Sequence, residues 1–104
     1  MSGVFSKREK AFEDKWVHDE TLRFKVLARR NRLLGLWAAQ EMGLADGEAY
    51  ARTLVEAELA KEGDEAVFEK VRTDFATRKV ARTDHLIRSK MDEFLTAAKK
   101  EMME

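Results

Sequence analysis

The chain has 104 residues, 44% of them apolar and 38% charged, which is enough for one modest core in a single domain. Twenty basic and twenty acidic side chains cancel, so no global field draws the protein to nucleic acid or to a lipid surface. The absence of cysteine excludes disulfides and thiolate metal sites, and no apolar run reaches signal-peptide or membrane-span length, so the sequence predicts a cytoplasmic protein that does not insert into a membrane.

Taken in chain order, the first element is a charged segment, "SKREKAFEDKWVHDETLRFK", at 6–25. Ser6-Lys7-Arg8-Glu9 has the S-x-x-E form of a capping box, in which hydroxyl and carboxylate satisfy each other's backbone donors. Phe5, Phe12 and Trp16 are spaced to share one helix face, which then stops: His18, Asp19, Glu20 and Thr21 supply no large apolar side chain. A helix running unbroken from Ser6 to Met42 would outreach any partner in so small a domain. Residues 1–20 are therefore expected to form an arm set apart from a domain at 21–104.

The pattern thereafter has a 3.6-residue period throughout, with no useful alternation of period two. Leu22, Val26, Leu33 and Trp37 form one row with Leu27 and Leu34 beside it; Tyr50 and Leu54 lie with Ala51, Val55 and Leu59. Val67, Phe68, Val71 and Phe75 make a third face, and Leu86, Ile87, Met91, Phe94, Leu95, Ala98 and Met102 a fourth. Proline is absent, and the breaks come from Gly43 with Asp46, from Gly63 with Asp64 as the next N-cap, and from "RKVART" with Thr83 as cap. The expected fold is all-α: a compact four-helix domain, helices at about 21–43, 46–62, 64–78 and 83–103, with a mobile and potentially helical N-terminal arm.

Two readings of the arm stand side by side. Burial of Phe12 and Trp16 in a partner returns about 1.5–3 kcal/mol each, whereas ordering backbone costs roughly 1–2 kcal/mol per residue. An arm frayed when free and folded in a partner's groove fits that balance. The other reading folds Phe12 and Trp16 back onto the domain as a satellite cluster.

Catalytic chemistry finds little footing. His18 and His85 lie in different segments, and the consecutive His18, Asp19 and Glu20 point about 100° apart on a helix and do not converge on one ion. No cysteine nucleophile or Gly-rich phosphate loop is present, so the protein is expected not to be an enzyme and to need no metal and no cofactor. "RFKVLARRNR" at 23–32 is basic without an acid, and Lys25, Arg29 and Arg32 fall on one stripe with Arg30 adjacent. This is either a solvated face or a docking patch for an acidic partner or for ATP or ADP held weakly. Nucleic acid is not expected, because so few aligned cations release few counterions.

"REKAFEDKWVHDETLRFKVLARRNRLLGLWAA", residues 8–39, closely resembles the N-terminal half of the zeta inhibitor subunits of bacterial F-type ATP synthases. The likeness continues through "MGLADGEAYA" and "EGDEAVFEKV" to "IRSKMDEFL", so it spans essentially the whole chain. The resemblance implies a four-helix domain with a mobile N-terminal inhibitory segment. That segment enters a catalytic α/β interface of the rotary head beside the central γ shaft, folds there into a helix, and stops rotation in the ATP-hydrolysing direction. Carried over by position, Phe5, Phe12 and Trp16 are the apolar anchors, and Arg8, Glu9, Lys10, Glu13 and Lys15 the polar contacts that fix register. The expected partners are the α, β and γ subunits of the head at the cytoplasmic face of the membrane-bound synthase, with the free protein a monomer. A nucleotide sensor built on Lys25, Arg29, Arg30 and Arg32 is the competing function, and a helical adaptor for another partner is a third.

Overall fold

The computed structural model describes residues 6–104 and is built from five helices: α1 (Lys7–His18), α2 (Glu20–Met42), α3 (Gly47–Ala60), α4 (Asp64–Thr77) and α5 (Asp84–Met103). The described residues contain no strand. The all-α expectation therefore holds, but the helix count does not stop at four, because the segment expected as an arm carries a helix of its own.

Local chemistry accounts for each boundary. Ser6 and Glu9 form both halves of the capping box, with Glu9 N–H donating to Ser6 Oγ at 3.1 Å and Ser6 N–H donating to Glu9 Oε1 at 3.0 Å. Asp19 has extended backbone (φ −99°, ψ 106°), ends α1, and accepts the Leu22 N–H at 3.0 Å to begin α2. One carboxylate thus separates two helices that would otherwise merge. Gly43 closes α2 in the left-handed region (φ 70°), with Leu44 N–H donating to Ala39 O and Gly43 N–H to Gln40 O, the paired bonds of a Schellman end. The end of α4 makes the same pair of bonds, Val80 to Phe75 and Lys79 to Ala76, but places Lys79 at φ 59° where glycine would be relaxed.

Asp46 and Thr83 cap α3 and α5 as the sequence leads one to expect, accepting from Ala49 and Leu86 at 3.0 Å each. Asp64 does not cap α4. Gly63 is the N-cap without a side-chain bond, and the Asp64 carboxylate is instead turned to Arg30.

The core lies among α2, α3, α4 and α5. Leu34, Ala38, Leu54, Val67, Phe68, Val71, Phe75, Ile87 and Met91 form one buried cluster, with Trp37, Tyr50 and Phe94 packed at its margin. Trp37 meets Phe75 edge to face, their centroids 5.7 Å apart. Two of the four expected faces, those of α4 and α5, supply this core as read. The second differs at its end, where Leu59 is 61% exposed because α3 has run past the last core layer.

The α2 row also differs. Its inward line is Val26, Arg30, Leu34 and Ala38 at a strict i, i+4 spacing, so a charged residue occupies a core register position. Next to that line, Gly35 lets α3 come close: a β-carbon there would sit 2.5 Å from Ala51 Cα. Among the described residues the α2–α3 contact is the most extensive.

Candidate functional site

Helix α1 is the only element among the described residues with no fully buried side chain in it. Its inward side carries Glu9, Phe12, Glu13 and Trp16, at i, i+3, i+4 and i+7, all half-buried against α2 and α5. Arg8, Lys10 and Lys15 face solvent. Phe12 and Trp16 are thus neither detached nor sealed into the interior; they form the margin of the fold. Phe5 lies outside the described residues.

One side chain dominates the α1–α5 contact. Lys99 Nζ is 3.2 Å from Glu13 Oε2 and 4.2 Å from the centroid of the Trp16 ring, so it makes an ion pair and a cation–π contact at once. The Lys99 side chain is 20% exposed, which strengthens both by partial exclusion of water. Next to Trp16, Arg23 Nη1 donates to Val17 O at 2.8 Å and satisfies a carbonyl left over at the helix terminus. Between these fastenings and the first turn, α1 and the end of α5 stand apart around a cleft of about 560 Å³ lined by Arg8, Glu9, Glu13, Thr96, Lys100 and Met103. The Glu9 carboxyl is held below its ordinary value, chiefly by the Ser6 N–H and then by the Ser6 hydroxyl.

The basic residues of α2 do not act together. Arg30 is 1% exposed; it donates to Asp64 Oδ1 at 2.9 Å, to Glu58 Oε1 at 3.3 Å and to Asn31 Oδ1 at 2.6 Å. Asn31, itself buried, donates to the same Glu58 oxygen at 3.0 Å, and Gly63 N–H reaches the other at 3.3 Å. Arg30 is therefore a tie between α2, α3 and the start of α4, turned away from the surface the stripe would need. Arg29 pairs with Glu101 at 3.0 Å, and Arg32 grips Glu48 with two nitrogens. Lys25 is exposed. Trp37, one turn beyond the stripe, packs edge to face on Phe75 and lies 5.9 Å from Lys90 Nζ.

Sequence reasoning missed Lys99 and the cap role of Asp19. Lys99 had no local signal, since its partner Glu13 is 86 positions away. Asp19 did have one: an Asp three residues before Leu22, where the apolar row resumes, is an N-cap pattern.

Among the described residues no cluster of three His, Cys, Asp or Glu side chains is placed to hold a metal, and no helix is long and apolar enough to cross a membrane. What the fold does define is a small helical module with a stable core and an amphipathic outer helix fastened at two points. The sequence profile of the family described as ATPase inhibitor subunit zeta matches residues 1–101, and the chain belongs to that family. No curated protein sequence matches it. Membership places the chain among inhibitory regulators of the ATP synthase.

Proposed function

We propose that the protein restrains ATP hydrolysis by an F-type ATP synthase by inserting its N-terminal segment, α1 with the residues before it, into a catalytic α/β interface next to the γ shaft. There the helix acts as a steric stop on rotation in the hydrolytic direction. No chemical group is transferred, and the binding partners are α, β and γ subunits at the cytoplasmic face of the synthase.

The observation that carries this reading is the position of α1. It is an amphipathic helix outside the core, with no fully buried residue, so no side chain of α1 has to leave a sealed interior when the helix departs. An interface cleft that covered Phe12 and Trp16 completely would return the part of their burial energy that the resting position leaves unused, within about 1.5–3 kcal/mol per side chain. Arg8 at the α1–α5 cleft and the exposed Lys10 and Lys15 supply the basic register contacts. Glu9 and Glu13 supply the acidic ones.

The test is removal of residues 1–18, with Asp19 retained because it caps α2. The shortened protein is expected to stay folded and to lose its effect on ATP hydrolysis by the purified rotary head. Undiminished inhibition by the shortened protein would refute the arm as the active part.

A further inference from the structure

The residues assigned to the synthase are already engaged in the resting structure. Glu13 and Trp16 both contact Lys99, a residue of the penultimate turn of α5, and no other side chain from outside α1 is in an ion pair or cation–π contact with this helix among the described residues. One residue beyond Trp16, Arg23 donates to the Val17 carbonyl, next to the extended Asp19 that joins α1 to α2. Toward its first turn α1 stands off α5 across the cleft of about 560 Å³. Beside the half-buried packing of Phe12 and Trp16, the helix is therefore held to α5 by a single cation in its second half, and its chain continues into α2 through the extended Asp19.

We infer that Lys99 is a clasp that keeps α1 docked on α5 in the free protein and must let go before the helix can be handed to its target, an autoinhibitory contact built into the fold. The inference rests on the function proposed above for its consequence, though not for the clasp itself. Chemistry makes the two states exclusive. A carboxylate can bridge two cations, but α5 occupies the side of Glu13 and the face of Trp16 that meet Lys99, and a groove of the target cannot cover that same surface. When one state withholds the binding residues, apparent affinity is reduced by the fraction of molecules that are open. The strength of inhibition is then set partly at α5, far in sequence from the arm.

The experiment uses the full chain with Lys99→Met, which keeps an apolar stem beside Trp16 and removes the charge. Amide exchange of α1 is expected to speed up about five- to tenfold, the scale of one half-exposed ion pair together with one cation–π contact, while α2 to α5 change less than about twofold. The half-inhibitory concentration against the purified head should fall by a similar factor. Exchanging the charges, Glu13→Lys with Lys99→Glu, rebuilds the ion pair but not the cation–π contact with Trp16, and should slow exchange in α1 part of the way back.

Unchanged exchange in Lys99→Met overturns the clasp whatever the inhibition data show. Faster exchange with no gain in inhibition overturns its role in withholding the arm. Failure of both the parent and the variant to inhibit refutes the proposed function, and the clasp is then decided by exchange alone.

Discussion

Two neighbouring arginines make the sharpest test of how this fold is held. Arg30 is 1% exposed, and its loss strands Glu58, whose side chain is only 13% exposed and whose Oε1 it shares with Asn31. Breaking a buried pair by removing one partner costs about 3–5 kcal/mol. The Asp64 carboxylate is 59% exposed and regains water when freed, which lowers the figure. Arg30→Ala should therefore destabilise by about 2–4 kcal/mol, or roughly 10–25 °C in Tm for a domain of this size. Arg29 differs in every respect but its chemistry: its bridge to Glu101 joins side chains 47% and 42% exposed, and Arg29→Ala should cost no more than about 0.5 kcal/mol. Urea unfolding followed by circular dichroism at 222 nm measures both, with equal slopes in denaturant if the folded states are alike. Equal losses in the two variants would refute the assignment of Arg30 as the tie joining α2, α3 and α4.

Three further outcomes follow from single positions. Gly35→Ala pushes a β-carbon to within 2.5 Å of Ala51 Cα and 2.8 Å of Ala51 Cβ; overpacking of about 1–3 kcal/mol outweighs a helix-propensity gain of about 1 kcal/mol, and a net stabilisation in chemical unfolding would contradict the close crossing. Lys79→Gly removes a left-handed conformation at φ 59° that costs a side chain about 1 kcal/mol, and should stabilise by somewhat less than that in the same assay because glycine also loosens the unfolded chain. Because the Glu9 carboxyl in α1 is lowered from its ordinary 4.5, its capping contribution is complete above that value and is lost as pH falls through the lowered one. Chemical shifts of Ala11 should accordingly report a loss of helix on acidification that is smaller in Glu9→Gln, and identical titrations would remove the capping box as the cause.

Much of the fold was legible because it is written in local spacing. The rows at Val67–Phe75 and Leu86–Met102 are short, strongly periodic and bounded by glycine or a cap, so tertiary context had little to override. The break between α1 and α2 was visible as a gap in the apolar row, but its agent, Asp19, was not singled out. Arg30 misled because charge suggested surface while its register suggested interior. The spacing Val26, Arg30, Leu34, Ala38 carried the answer, and the acid that repays burial lies in other helices, beyond any local window. Asp64 departs from its expected cap position for the same reason: proximity in sequence favours a cap, and the fold offers a guanidinium.

The candidate site was legible in one half only. The apolar spacing of Phe12 and Trp16 and the capping box at Ser6 are sequence facts, and both appear in α1. Where α1 rests depends on Lys99, which joins it from 86 positions away by an interaction without periodic signature. The alternative of a satellite contact was therefore half right: α1 does lie on its own domain, yet leaves Phe12 and Trp16 half-buried.

The central claim is that α1 and the residues before it are the part of this protein that acts on the synthase, and one titration addresses it most directly. ATP hydrolysis by the purified rotary head is measured against added full-length protein and against the protein lacking residues 1–18. Saturable inhibition by the first and none by the second, with circular dichroism showing both folded, is the result expected. Equal inhibition by the two proteins would contradict it.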